Sequence, residues 1–217
     1  MTKITFHKIG EDDILRMVAM EAATWGSLGA TEATIRQRLS LGHIMIAAVQ
    51  ETTIAGAVCF VETAHDPRDK ATFPATFSAY SSLTRSVPPN SLYVYNLGVR
   101  PEFRGTPLSR RLLAHLVDYG REAGTRWIVG DGRCPSYGGA QEDSPDKVEI
   151  NADFRRTIDE WHRTGIMPSV GHLTQDPLLN FYHRILKCEF LHLAPAFLPA
   201  DVSSGGYRVI FAVDLCK

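Results

Sequence analysis

Little in this chain announces a metal, membrane or secreted protein. Its four cysteines, Cys59, Cys134, Cys188 and Cys216, are widely spaced with no C-x-x-C pair, and the N-terminus carries no secretory leader pattern. A reduced, cytoplasmic protein is therefore expected. The eight histidines include no H-x-x-x-H pair and no cysteine partner at zinc spacing, so no metal site is expected. No apolar run approaches the ~20 residues that span a bilayer. Charge of either sign is also lacking in excess: 23 Lys and Arg against 24 Asp and Glu leave a net charge of -1. Composition thus gives no reason to expect nucleic acid or an anionic membrane as a partner. Repeats and low-complexity tracts are absent.

What is present is ordinary for a globular chain, with 44% apolar and 22% charged residues in 217. That length suits a single domain over 1–217, with elaborations. Thr2 to Ile9 alternates as a strand. Glu11 to Thr24 reads as a helix with Ile14, Leu15, Val18, Met20 and Ala22 apolar, and Trp25-Gly26 follows in a connecting loop as a packing aromatic. A second helix over 31–41 has Thr31 as its cap and Ile35 and Leu39 facing inward. His43 to Gln50 and Thr53 to Thr63 read as a hairpin turned at Glu51-Thr52, with Gly56 marking a bulge or a close contact. Residues 64–90 break the pattern and are long enough for a lid or partner surface, with Phe73, Phe77 and Tyr80 apolar enough to pack down.

The stretch from Ser91 to Val129 organises the rest. Leu92 to Val99 reads as a strand, Arg100 to Gly105 as a turn, and Leu108, Leu112, Leu113, Leu116 and Val117 recur at helical spacing. A helix opening directly off a strand points free N–H groups and a partial positive charge at one spot, which suits a phosphate. Arg104, Arg110 and Arg111 are placed to crowd it. The plainer alternative stays open on these residues: Thr106 is a good N-cap and Pro107 an ideal first helical residue, so the turn could simply be a well-started helix with solvated arginines.

Beyond it, Arg126 to Gly130 reads as a strand ended by Asp131-Gly132, and 133–175 as a long irregular insertion. That insertion carries Cys134-Pro135-Ser136-Tyr137-Gly138-Gly139 and one helix near Ala152 to His162, with Phe154, Ile158 and Trp161 on one face. Asp176-Pro177 starts an amphipathic helix, and strands over 189–193 and 206–215 close the chain.

The order strand, Val-x-Pro-x-x-Arg-Gly, small residues and Leu-Leu on a helix resembles the acyl-CoA-binding core of the GNAT acetyltransferase superfamily, in its subset with a long loop before the last core helix. The resemblance implies a mixed α/β fold: about seven strands, splayed between the fourth and fifth, flanked by four core helices plus the insertions near 64–90 and 133–175. It implies acetyl-CoA or another acyl-CoA as substrate, with Leu97, Gly98 and Val99 along the pantetheine arm. Arg104, Gly105, Thr106, Pro107, Leu108, Ser109 and Arg110 would then hold the diphosphate. Pro107 and Ser109 replace the glycines usual in that turn, which removes one N–H and makes the approach bulkier.

Direct transfer to an amine needs a polarised carbonyl, a deprotonated nucleophile and a proton for the leaving thiolate. The segment Phe181-Tyr182 resembles the start of the family's Phe-Tyr-x-x-x-Gly-Phe, which implies Tyr182 as general acid; read by itself, a tyrosine at an apolar helix position is a core residue. Asn96 stands where the family often has a carboxylate and cannot take a proton. Asp131, and after it Glu62, are the candidate bases. By the resemblance the loop holding Trp25 borders the acceptor pocket.

The implied partner is a small-molecule amine. An acyl carrier protein is the alternative, because the subset includes GNAT-like domains that decarboxylate malonyl groups and load carrier proteins. Those rely on a histidine near the place of Tyr182 and an arginine near Leu198, which are missing here, although His183 adjoins Tyr182. A third reading is a catalytically silent GNAT-fold module. Acceptor identity and oligomeric state are not legible in the sequence.

Overall fold

A computed structural model describes residues 3–139 and 142–217. The seven strands form a mixed sheet ordered β1-β2-β3-β4-β5-β7-β6. The chain divides into two compact units: residues 1–66, 80–128 and 215–217, and residues 67–79 and 129–214.

The first unit opens with β1 (Ile4–Lys8), a 3-10 turn at Glu11–Asp13, and α1 (Ile14–Trp25). The expected strand start at Thr2 lies outside the described residues. Helix α1 buries Ile14, Met17, Met20 and Glu21, a set spaced at three and four residues, while Leu15 is 69% exposed. The helix begins at Ile14 rather than Glu11, and of the apolar positions named for it Leu15 faces solvent while the inner face takes a carboxylate, Glu21, that an apolar pattern cannot flag. The helix also runs through Trp25, so this residue is its last turn rather than loop, and Gly26 caps it at φ 57°. Helix α2 (Glu32–Ser40) has the expected Thr31 cap, its hydroxyl accepting from the Thr34 N–H at 3.3 Å. It buries Ile35 and Arg38.

Strands β2 (Ile44–Gln50) and β3 (Thr53–Thr63) form the expected hairpin, with a register shift at Ala48/Val49 opposite Gly56 and Ile54. A single helical turn, α3 (Phe77–Tyr80), precedes β4 (Ser91–Val99), which pairs antiparallel with β3 from Gly56↔Val99 to Glu62↔Leu92. At Gly56 a β-carbon would meet the Gly98 carbonyl oxygen at 2.7 Å, so the expected close contact is real. Tyr80 stacks on Tyr93 at 5.2 Å, so the end of the first insertion does pack down.

Helix α4 (Leu108–Glu122) follows and buries Leu108, Leu112, Leu113 and Leu116. At about 1.5–3 kcal/mol for each fully buried leucine, this face pins the helix and therefore the direction of its N-terminus. Gly124 stops it at φ 67°.

The remaining strands and helices are β5 (Trp127–Arg133), α5 (Pro145–Thr164), α6 (Val170–Leu173), α7 (Pro177–Leu186), β6 (Glu189–Ala194) and β7 (Arg208–Asp214). From Val129 onward these make up the second unit, whose core gathers Cys134, Phe154, Ile158, Trp161, Leu173, Leu179, Cys188, Phe190, Leu193, Val209 and Phe211. Strand β5 does not stop at Gly130 as expected. Gly130 and Gly132 face Phe211 and Leu179, and a β-carbon at Gly132 would lie 2.6 Å from Leu179 Cδ2, so these glycines mark close approach within a strand. Helix α5 is twenty residues, longer than expected, because Ser144 caps it and Pro145 occupies its first turn, with Gly165 in the left-handed region ending it. Phe73 and Phe77 of the first insertion pack on His192 and Phe197 in this unit.

Candidate active site

In the first unit the site is built on β4 and the turn after it. Strand β4 carries an extra residue opposite β3: Asn96 pairs with Cys59 and Val94 with Phe60, leaving Tyr95 unpaired between them. Such a bulge bends the strand and re-aims its side chains, and sequence reasoning gave no sign of it. Asn96 is buried and fully engaged. Its amide donates to Glu21 Oε1 and its carbonyl accepts from Trp25 Nε1 at 3.1 Å. At Gly98 a β-carbon would meet Asn96 Oδ1, Thr24 Cγ2 and Trp25 Nε1, each at 3.2 Å, so glycine lets the end of α1 close on β4.

Arg100 is tied back to β3 through its N–H and the Ala55 carbonyl, 3.0 Å, and Pro101–Phe103 make one 3-10 turn. Gly105 then takes φ 77°, a left-handed conformation that glycine adopts freely. The Thr106 hydroxyl donates to the Phe103 carbonyl at 2.7 Å and accepts from the Leu108 N–H at 3.3 Å. The N-cap is Pro107 rather than the expected Thr106, and Pro107 is not the first helical residue, because the helix begins at Leu108; the Thr106 hydroxyl still takes up one free donor from just outside it. The Arg111 N–H bonds Pro107 O. Among the described residues the N–H groups of Gly105, Thr106, Ser109 and Arg110 donate to no protein acceptor. Four donors and the positive end of a fifteen-residue helix thus converge on one exposed corner.

The three arginines divide. Arg104 reaches weakly to the Val99 and Thr24 carbonyls at 3.4 and 3.5 Å, Arg110 is exposed with no partner among the described residues, and Arg111 lies over the Phe6 ring at 4.7 Å. Arg111 is therefore not part of the cluster that the sequence suggested.

Glu62 sits at the other end of β4, paired with Leu92, seven residues from Val99 and so roughly 20 Å along the strand. There it accepts from the Tyr119 hydroxyl at 2.9 Å and from Arg85 Nε, in a groove of about 350 Å³. That placement separates it from the turn.

The second unit holds Tyr182 and Asp131. Tyr182, on α7, is half-buried and stacks on Phe211 at 4.8 Å, and its hydroxyl has no hydrogen-bond partner among the described residues. Asp176 positions the helix by accepting from the Leu178 and Leu179 N–H groups at 2.9 and 3.1 Å, and from the Ser136 N–H at 2.9 Å. Burial and the neighbouring Asp131 charge push the Tyr182 phenol above its usual range, so it stays protonated at neutral pH.

Asp131 lies within β5. Burial pushes its carboxyl up to about 7, against the pull of Arg208, whose Nε is 3.4 Å from Oδ2. Arg208 also bonds Asp201 Oδ2 at 2.9 Å, and Arg133 grips both Asp201 oxygens at 2.7 and 2.8 Å. Asp201 is penalised by burial, yet the Arg133 and Ser203 hydrogen bonds and the Arg208 charge outweigh it and hold its carboxyl well below the usual range. Within this network Asp131 is the carboxyl poised to change protonation near neutrality.

Two residues that the sequence did not single out stand beside β4: Glu21, buried on α1, and Arg38, buried on α2. Their only sequence signal is spacing, since Glu21 falls seven residues after Ile14 and Arg38 three after Ile35, each in line with a buried face. No helix among the described residues is long and apolar enough to cross a membrane.

Comparisons with known proteins bear on this geometry. Over nearly its whole length the chain is similar in fold to three solved structures. The GphF GNAT-like decarboxylase in complex with isobutyryl-CoA aligns at TM-score 0.73 and 22% identity, covering 97% of this chain and 99% of that one. The loading GNATL domain of CurA from Lyngbya majuscula aligns at 0.74 and 18%, covering 99% and 98%. An aminoglycoside 6'-N-acetyltransferase complexed with coenzyme A aligns at 0.59 and 12%, covering 97% of each. No curated protein matches in sequence. Residues 15–135, from α1 through β4, the turn and α4 to the end of β5, match the sequence profile described as the acetyltransferase (GNAT) family. With more than half of the chain inside that match and a seven-stranded mixed sheet around it, the protein belongs to the GNAT acetyltransferase family.

Proposed function

We propose that the protein is an acyltransferase that moves an acetyl or other acyl group from acyl-CoA directly to an amine, and that the whole chain serves this one activity. The observation that carries the reading is the corner after β4, where the N–H groups of Gly105, Thr106, Ser109 and Arg110 are unspent at the head of α4. Family membership makes the diphosphate of coenzyme A the natural anion for it. Arg104 and Arg110 add charge, Thr106, Pro107 and Leu108 form the wall, and Leu97, Gly98 and Val99 present backbone to the pantetheine arm.

In the chemical step the amine nitrogen attacks the thioester carbonyl carbon, a C–N bond forms, and the C–S bond breaks. Tyr182 gives the departing sulfur its proton. Asp131 takes one from the amine; a carboxyl ionising near 7 is half available as a base at neutral pH, and its closeness to Tyr182 in charge lets the proton return there afterwards.

A second reading, acyl transfer to or from a carrier protein with decarboxylation, is supported by the greater fold likeness to the GphF and CurA domains than to the aminoglycoside enzyme. The missing histidine at Tyr182 and arginine near Leu198 weigh against its decarboxylating form.

Calorimetric titration with acetyl-CoA tests the reading. Saturating ligand is expected to raise the melting temperature by mass action, at 100 times Kd by about 2.7 kcal/mol of stabilisation. Pro107→Gly restores an N–H to the corner and is expected to tighten acetyl-CoA about threefold to tenfold, one hydrogen bond to a charged group less the added freedom of glycine. Absence of acetyl-CoA binding removes the acyltransferase reading; unchanged affinity in Pro107→Gly moves the diphosphate away from that donor.

A further inference from the structure

Beside the β4 bulge lies a group of polar side chains that the transfer step does not use. Because Asn96 rather than Tyr95 pairs with Cys59, both Tyr95 and Asn96 come into the electrostatic company of Cys59, Glu21 and Arg38. Almost every group in it is satisfied. Asn96 is held between Glu21 and Trp25, and Glu21 also accepts from the Ala30 N–H at 3.1 Å. His43, kept neutral by burial, bridges the Tyr95 hydroxyl at 3.1 Å and the Leu83 carbonyl at 2.7 Å.

Arg38 is the exception. It is 9% exposed, its guanidinium carbon lies 4.6 Å from the centroid of the Tyr95 ring, and its guanidinium donates no hydrogen bond to any described residue. None of its nitrogens is sealed from solvent as an orphaned buried atom, so the residue's small remaining exposure includes the charged fork. A buried stem, an aromatic ring beneath the guanidinium and N–H donors that reach solvent without a partner among the described residues suit Arg38 to grip a planar anion in two places. Helix α1, packed on the α2 that carries Arg38, closes on β4 at Asn96 and Gly98, beside and within the Leu97–Val99 backbone assigned to the pantetheine arm.

We infer that Arg38 is a specificity-determining residue that receives a carboxylate of the substrate, carried either on the acyl chain or on the amine acceptor. The inference rests on the acyltransferase reading above. Glu21 is a positioning residue in this scheme: it spends its oxygens on Ala30 and Asn96, fixes Asn96 beside the bulge, and leaves the guanidinium fork free.

The test has two arms, each run on the wild type, Arg38→Gln and Arg38→Lys. In the first, calorimetry compares acetyl-CoA with malonyl-CoA. A carboxylate on the acyl chain predicts malonyl-CoA bound ~10- to 100-fold tighter by the wild type, with the preference lost in Arg38→Gln and acetyl-CoA affinity unchanged. In the second, acetyl-CoA is fixed and amino acids are compared with their amides as acceptors. A carboxylate on the acceptor predicts a preference of the same size for the free acid, expressed in KM and lost in Arg38→Gln. Arg38→Lys keeps the charge over Tyr95 and so the fold, and is expected to lose most of the preference because an ammonium cannot supply the fork. Should Arg38→Gln not fold, the lysine variant decides by itself. Acetyl-CoA binding with no carboxylate preference dependent on Arg38 in either arm overturns the inference alone, whereas no acyl-CoA binding at all overturns the acyltransferase reading beneath it.

Discussion

Tyr182→Phe is expected to lower kcat by about 10²- to 10³-fold while leaving acetyl-CoA affinity within roughly twofold. The substitution removes one oxygen and nothing else. Its ring contact with Phe211 at 4.8 Å persists, and no protein hydrogen bond among the described residues is lost, because the hydroxyl makes none. Tyr182 is half-buried, and its hydroxyl is not sealed away as an orphaned buried atom, so it is open to solvent or to a bound thioester. Burial and the Asp131 charge keep the phenol protonated at neutral pH, so a proton is present there for a leaving thiolate, and no hydrogen bond to a described residue competes for it. Steady-state release of free thiol, measured with the best amine from an acceptor screen and paired with calorimetric Kd values, checks the prediction. Equal kcat in the two proteins would remove Tyr182 from the mechanism, and an equal loss in affinity and turnover would make it a binding residue.

Arg208→Leu is expected to destabilise the fold by about 3–5 kcal/mol at pH 8. Arg208 is 3% exposed and faces two carboxylates, Asp131 and Asp201, while its remaining amine bonds the Tyr207 carbonyl at 2.9 Å. Asp201 keeps the two-point grip of Arg133 when Arg208 is gone; Asp131 keeps no ion pair among the described residues and only the more distant pull of the Arg133 charge. The pH dependence follows from the sign of the Asp131 shift. Its folded value, already raised to about 7 from 3.8, rises further without Arg208, so the folded state holds its proton more tightly than the unfolded state. Stability is then lost as pH rises from about 4 through the folded value, and the deficit of the variant is smaller at pH 5 than at pH 8. Urea unfolding at both pH values measures it. A loss below about 1 kcal/mol, or one equal at the two pH values, would show that the pair contributes little and that Asp131 does not depend on Arg208.

The elements legible in the sequence were those whose pattern is set by local chemistry. The β2–β3 hairpin, the Thr31 and Asp176 caps and the leucine face of α4 all follow from spacing and capping residues, and they occur where the residues imply. Helix α5 was readable in part: its apolar face was evident, but its first turns are solvent-exposed, and only Ser144-Pro145 marks their start. Glycine misled in β5, where Gly130 and Gly132 accommodate Phe211 and Leu179 from elsewhere in the chain, a tertiary reason that no local window contains.

The site divides in the same way. The corner after β4 was visible because strand, turn and helix are contiguous. Glu21 and Arg38 were not, because a charged residue at a buried helical position breaks the very pattern used to find buried positions, and their partners on β4 are 57 or more residues away, as with Tyr95. Glu62 shows the converse: a carboxylate at the end of a strand was a reasonable base until its register with Leu92 placed it at the far end of β4. The bulge at Tyr95 likewise depends on a partner strand and has no signature within β4 itself.

A crystal structure of the protein with acetyl-CoA would be decisive. The diphosphate oxygens are expected within hydrogen-bond distance of the backbone N–H groups of Gly105, Thr106, Ser109 and Arg110 at the head of α4. A diphosphate bound anywhere else, with those four donors still facing solvent, would contradict the reading.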